Sequence, residues 1–297
     1  MNRKTLNNLA VIALPVLIIL AGSLYFLKSE RGMFGSDNKG AVENKNLKSF
    51  FGNTDDYELA FSQVRHSEKM KVIAGITSHH FLAKDLIANF YSGIASDVKN
   101  IVLIGPDHYG VLISGGVDAV TTELTWDTPY GQLEPDKNRI RKILNRNSDI
   151  GINDDIFKME HSIYTEVPFM KKIFPQVKIV PLVIKNTHDY DKFIKIGSNL
   201  RKTLKGKTLL VVSSDFSHEA TEDDAKKYDD QSITVLRDLI PDNLNKVTCD
   251  CRACIAVMLG FLGDNKKFHL VENKNSADFG SPDQKITSYV SGYFLFD

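Results

Sequence analysis

Hydrophobic runs along this chain alternate between two periods. KVIAGIT (71–77), NIVLIG (100–105), KIVPLVIK (178–185) and TLLVVSS (208–214) are short and almost continuously apolar, as strands buried on both faces must be. DAVTTE (118–123), KFHLVENK (267–274) and SYVSGYFLFD (288–297) also read as strands. Between them, apolar residues recur at helical spacing in FLAKDLIANFYSGI (81–94), KNRIRKILNR (137–146), SIYTEVPFMKKIF (162–174), YDKFIKIGSNLRKTL (190–204), DDAKKYDDQSITVLRDLI (223–240) and CIAVMLGFL (254–262). Pro168 falls inside the third of these and predicts a bend or an early stop, because it has no N–H to donate. Strand and helix alternate through most of the chain. This predicts an α/β fold: a single large domain with a central, mostly parallel or mixed sheet flanked by helices.

The N-terminus follows another pattern. Residues 1–8 are polar, with Arg3 and Lys4; residues 9–27 carry no charge and can cross a bilayer as a helix. Its bulky end, Leu24 to Leu27, favours an uncleaved transmembrane anchor over a signal peptide. Pro15 is tolerable in a membrane helix. Basic residues flank the segment on both sides, so charge barely decides its orientation. An N-terminus-inside anchor would place the globular domain outside the cytoplasm. Residues 28–49 are polar and aperiodic, which predicts a linker, and the domain is expected over 50–297.

Composition adds limits. The chain has 297 residues, 42% hydrophobic and 25% charged, enough for a substantial core. Lys plus Arg equals Asp plus Glu at 37 each, so no global field favours a nucleic-acid partner. The three cysteines all lie in TCDCRAC (248–254), too clustered for a disulfide framework. A tetrahedral thiolate site would need a fourth ligand, so the cysteines read first as small core residues at the start of a helix. No P-loop, dinucleotide fingerprint, zincin motif or nucleophile elbow occurs.

The candidate chemistry sits where apolar runs end. Three of them break into loops bearing His79 and His80, Asp107 and His108, and Asp215 and His218. Strand ends of an α/β sheet converge on one edge, so these residues can meet there as a metal or acid–base site. In GPDHYG (105–110) the flanking glycines allow a sharp turn and close approach. Of the adjacent His79 and His80, His79 is expected to enter the site and His80 to pack. In SSDFSH (213–218), Asp215 and His218 have the spacing of an acid–base pair, and the same segment can equally cap a helix. Glu160 and His161 precede a helix, where they either cap it or donate a proton. Trp126 and Tyr130 of WDTPYG (126–131) suit either a ligand pocket or simple packing.

Taken in order, ITSHH (76–80), IGPDHYG, WDTPYG, MEHSIYTEVPFMKKIFPQVKIVPLVI (159–184), VVSSDFSH and YVSGYFLF (289–296) resemble the Memo family, called AmmeMemoRadiSam system protein B in bacteria and archaea. The resemblance covers roughly residues 70–297. It implies a fold similar to the class III extradiol dioxygenases, such as the catalytic subunit of the protocatechuate-cleaving enzyme. It also implies a pocket in which two histidines and a cysteine hold a transition metal. The two metal histidines fall on His79 and His108, the acid–base pair on Asp215 and His218, and the family's E-H-S segment on Glu160 and His161. The cysteine position departs. Aligning the following helix through Ile255, Val257 and Leu259 places Asp250 there, whereas a shift of one residue places Cys251. Asp250 is preferred.

A His79, His108, Asp250 set suits divalent iron first, with copper or zinc as alternatives. The resulting expectation is a metal-dependent, dioxygenase-like oxidoreductase acting on a small-molecule or peptide ligand. Two alternatives stay open: a non-catalytic binding module using the same pocket, and loops that only stabilise the sheet edge.

Overall fold

The computed structural model describes residues 46–49, 53–65, 68–204, 206–264 and 267–295. They belong to one compact unit. Among the described residues, no helix is long and apolar enough to cross a membrane. The expectation of a membrane-anchored protein is corrected on that finding; residues 9–27, on which it was placed, lie outside the described residues. The last residues of the expected linker join the domain instead. Leu47 is buried and pairs in parallel with Trp126.

In chain order the elements are β1 (Leu47–Lys48), α1 (Thr54–Ser62), β2 (Val72–Thr77), α2 (Lys84–Ser92), β3 (Asn100–Pro106), β4 (Ala119–Thr121), β5 (Trp126–Thr128), β6 (Gly131–Leu133), α3 (Lys137–Leu144), β7 (Ile150–Ile152), α4 (His161–Tyr164), α5 (Val167–Ile173), β8 (Lys178–Ile184), α6 (Tyr190–Thr203), β9 (Thr208–Ser213), α7 (Glu222–Asp238), α8 (Arg252–Leu262), β10 (Phe268–Asn275) and β11 (Ser288–Leu295). Short 3₁₀ segments join several of them. Pro168 acts as its chemistry predicts. It sits in the first turn of α5, where a missing N–H costs no hydrogen bond, and one predicted helix becomes α4 and α5.

The main sheet has eight strands in the order β10-β11-β2-β9-β3-β8-β4-β7. Its four central strands, β2, β9, β3 and β8, run parallel. Antiparallel pairing on both sides makes the whole sheet mixed. A small sheet, β1-β5-β6, lies apart from it.

The central strands are buried along their whole length or nearly so, and their side chains alternate between two cores. Val102, Ile104, Leu210 and Val212 face one core, which is completed by α3, α6, α7 and α8. Ile101, Leu103, Leu209 and Val211 face the other, completed by α1, α2, α5 and the β5–β6 hairpin. Helices α6 and α8 meet backbone to backbone. A Cβ on Gly197 would stand 1.9 Å from the Val257 carbonyl oxygen, and one on Gly260 would stand 1.9 Å from that of Ile194. This contact fixes α8, whose start carries part of the site.

Candidate metal centre

Because β2, β9 and β3 are adjacent and parallel, their C-terminal ends open onto one edge of the sheet. Ser78 and His79 follow β2, Ser214 and Asp215 follow β9, and His108 follows β3. Asp250 reaches the same place from the turn before α8, and Glu160 and His161 reach it at the start of α4.

His79 is buried, with 3% of its surface exposed. Its Nδ1 lies 3.1 Å from the Ser213 hydroxyl, so its Nε2 faces the opposite way. That atom is 3.2 Å from Asp250 Oδ2 and 3.6 Å from Asp215 Oδ2. His108 repeats the pattern. Its Nδ1 is 2.7 Å from Glu160 Oε1, and its Nε2 is 3.5 Å from the same Asp250 oxygen. Two imidazole nitrogens therefore converge on one carboxylate oxygen. An ionised Glu160 can only accept, so His108 Nδ1–H donates to it, which fixes the tautomer.

Each of these side chains is held in turn. Asp250 accepts from the Ser214 hydroxyl (2.6 Å) and from the Asp215 N–H (3.2 Å), while Asn186 donates to its carbonyl (2.6 Å). Asp215 accepts from the Ser78 hydroxyl at 2.5 Å and the His79 N–H at 3.3 Å. Glu160 is fully buried and accepts from the His108 N–H, the Ser162 N–H and the Ser162 hydroxyl. A Cβ on Gly105 would stand 2.1 Å from the Ser162 Oγ, so glycine there makes room for the serine that steadies Glu160. Asp107 does not enter the cluster. It accepts from the N–H groups of Val111 and Leu112 and so closes the loop that carries His108.

His161 stacks on His108 with ring centroids 4.1 Å apart and meets His79 edge-on at 5.0 Å. Among the described residues, two groups are compact enough to hold a metal ion: His79, His108 and His161, and His79, Asp215 and Asp250. In each, the ligand atoms lie within 4.8 Å of one another.

The electrostatics favour positive charge. Burial opposes a charged His79, but Asp215 and Asp250 outweigh it and push its imidazole up to about 10. His108 rises to about 9 against the same burial cost, through hydrogen bonds to Asp250 and Glu160. Burial also opposes charge on Asp250, yet His79 and His108 hold its carboxyl well below the usual range. His161 goes the other way. Burial and its two imidazole neighbours lower it to about 4, which keeps it neutral at pH 7.

Several expectations change here. His218 is exposed and no hydrogen bond joins it to Asp215, whose carboxylate is engaged by Ser78 and His79. The expected acid–base pair does not form, because the backbone after Asp215 carries Phe216 into the core and turns His218 to solvent. Glu160 orients His108 from a fully buried position, which is not the place of a proton donor to a ligand. His80 hydrogen-bonds Tyr289 at 2.6 Å. Cys251 is joined to Cys254 in a disulfide and is fully buried, so Asp250 rather than a thiolate faces the imidazoles. Cys249 is a free thiol pushed up to about 12, mainly by burial. Trp126 is fully buried edge-on against Phe157, and Tyr130 hydrogen-bonds Glu58, so WDTPYG serves packing.

Sequence reasoning missed Ser78, Ser213, Ser214 and Asn186 as supports. The signal for the serines was the run of small hydroxyl residues at the strand ends, which alone reads as helix capping; Asn186 carried none.

Fold and site together define an α/β domain with a histidine–carboxylate cluster at the C-terminal edge of its parallel strands. A family model described as "Memo-like protein" matches residues 44–293, and the chain belongs to that family. Curated relatives include a MEMO1 family protein of Caldivirga maquilingensis, 37% identical over 123 residues, which are 40% of this chain and 42% of that protein. One of Pyrobaculum aerophilum is 29% identical over 172 residues, 55% of this chain and 59% of that protein. The aligned stretches thus span roughly half the length of these first relatives. A crystal structure of the uncharacterised Escherichia coli K12 protein JW3007 shares the fold. Its TM-score is 0.50 at 11% identity, covering 75% of this chain and 99% of that one.

Proposed function

We propose that this Memo-like protein holds a divalent transition metal through His79 Nε2, His108 Nε2 and the Asp250 carboxylate, and that the centre serves dioxygenase-like oxidoreductase chemistry on a small-molecule or peptide ligand. The observation that carries the reading is the convergence of both imidazole nitrogens on one Asp250 oxygen, at 3.2 and 3.5 Å. The donor set fits a metal. Both histidines are oriented through their other nitrogen, the usual support of metal-ligating imidazole. The fold also gathers carboxylates until both imidazoles favour a proton, and a divalent cation answers the same excess of negative charge.

Two nitrogens and one carboxylate with open positions suit Fe(II), and copper or zinc are the alternatives. When bound, the metal would supply Lewis-acid or redox chemistry at an oxygen atom. The protein residues would do the rest. Glu160 keeps the proton on Nδ1 of His108 and directs Nε2 inward. Ser78 and the His79 N–H hold Asp215 beside the centre. His161, neutral and partly exposed, is placed to take up or release a proton on the open side.

The test is metal analysis of the purified and reconstituted protein, beside His79→Ala and Asp250→Ala, together with oxygen uptake on catechols. About one equivalent of metal in the wild type and loss of it in both variants is expected. Equal metal content in all three would overturn the ligand set. Metal binding without turnover on any candidate would favour the non-catalytic binding module.

A further inference from the structure

The edge of the sheet opposite the histidine cluster carries a second concave site. A cavity of about 730 Å³ opens where β3 and β8 begin, lined in part by Asn100 and Lys178. Histidine 108 lies beyond the far end of β3, so about 20 Å of strand separates the two places. Helix α3 contributes Arg139 and Lys142, the turn after it Arg146, and the end of α6 Lys202 and Thr203.

Its charge is what sets the cavity apart. Among the described residues, Lys99, Arg139, Lys142, Arg146, Lys178 and Lys202 line it, against a single carboxylate, Asp136. Asp136 is already committed. It caps α3 by accepting the Arg139 N–H at 3.0 Å, and it accepts from the Arg139 guanidinium at 2.7 Å. Lys178 meets Glu134 at the rim, 3.4 Å away, with both side chains more than half exposed. Lys99, Lys142, Arg146 and Lys202 have no carboxylate within ion-pair distance among the described residues. The chain as a whole is neutral, so this local excess is not a product of composition.

Part of the pattern has a local cause. Lys142 and Lys202 lie in the last turns of their helices, where a cation is favoured by the helix dipole. That does not account for Lys99, Arg146 and Lys178, which come from loops and a strand and face the same space. Like charges gathered around a concavity repel one another unless an anion joins them, and a low-dielectric wall focuses their field on it. The volume lies in the range of small-molecule sites.

We infer that this cleft is a binding site for a small polyanion carrying clustered phosphate groups, separate from the histidine cluster. Lysine ammonium groups would supply point charges, and Arg146 would supply a planar fork that matches a phosphate.

Inorganic pyrophosphate is the probe, titrated calorimetrically into chelator-treated protein at about 50 and about 200 mM salt. Binding that weakens with salt is expected. A variant carrying Lys142→Glu, Arg146→Glu and Lys202→Glu should lose about tenfold or more in affinity. These side chains are exposed, and an unchanged circular dichroism spectrum and metal content will confirm its fold. His108→Ala, which alters only the other edge, should bind pyrophosphate as the wild type does. No binding, binding lost in His108→Ala, or binding kept by the triple variant would each overturn the site. Binding of a short DNA duplex without pyrophosphate would replace the small ligand with a macromolecular one.

Discussion

Glu160 and Ser213 each occupy one nitrogen of an imidazole and leave the other facing Asp250. The precision of the cluster depends on such supports, and substitutions can separate them from the ligands. Glu160→Gln should weaken metal affinity about 10- to 100-fold while leaving the ligand set intact, as read by competition with a chromogenic chelator. His161→Ala separates two geometries. Retention of metal is expected, with loss of any proton-dependent activity; loss of metal would instead favour the three-histidine group. Glu166 allows a test at a buried acid that is not itself one of the proposed ligands. It is fully buried, accepts from Tyr91 at 2.7 Å, and is pushed up to about 8, mainly by burial. An acid raised in the folded state binds more protons folded than unfolded, so its contribution to stability is full below pH 4.5 and falls as pH rises to about 8. Glu166→Gln should remove that fall, and urea midpoints across pH 5 to pH 8 will show whether the wild type loses stability relative to the variant. His79 and His108 were legible because each closes an apolar run. The role of His218 was misread because sequence spacing cannot tell which way a chain turns after its strand.

At the level of elements, α8 couples packing to the site. Its first residues follow Asp250, and its body lies against α6 with no room for a side chain at Gly197 or Gly260. Alanine at either position must push the helices apart, since the opposing atom is a backbone carbonyl. Overpacking of this kind costs about 1–3 kcal/mol or more. Gly260→Ala should lower the chemical-denaturation midpoint and weaken metal binding together, because the displaced helix carries Asp250 with it. Lower stability with unchanged metal affinity would mean that the turn holds Asp250 independently of the helix. Helices with a strong apolar stripe, such as α3 and α6, were visible in the sequence. Helix α1 was not, because it buries only Tyr57 and Ala60 among polar neighbours. The β5–β6 hairpin escaped notice for a related reason: its strands have three residues each, too few to establish a period.

For the molecule as a whole, the histidine–carboxylate cluster ties together three strands and two helical segments that are far apart in the chain. A ligand that binds only the folded state stabilises it by mass action. Added Fe(II) or Zn(II) should therefore raise the melting temperature of the wild type by several degrees and leave His79→Ala and Asp250→Ala unmoved. An equal rise in all three would place the metal elsewhere. The sequence by itself determined the α/β class, the four strands buried on both faces and the loops that bear His79, His108 and Asp215, because periodicity and strand-end chemistry are local properties. It also narrowed the third member of the cluster to Asp250 or Cys251. Tertiary structure decided the rest. Strand order brought β2, β9 and β3 side by side, the Cys251–Cys254 disulfide left Asp250 to face the imidazoles, and Glu160 was turned inward to hold His108. It also gathered lysines and arginines from four separate segments around one cleft in a neutral chain. Long-range pairing and side-chain direction depend on how the sheet closes, and no local pattern encodes that.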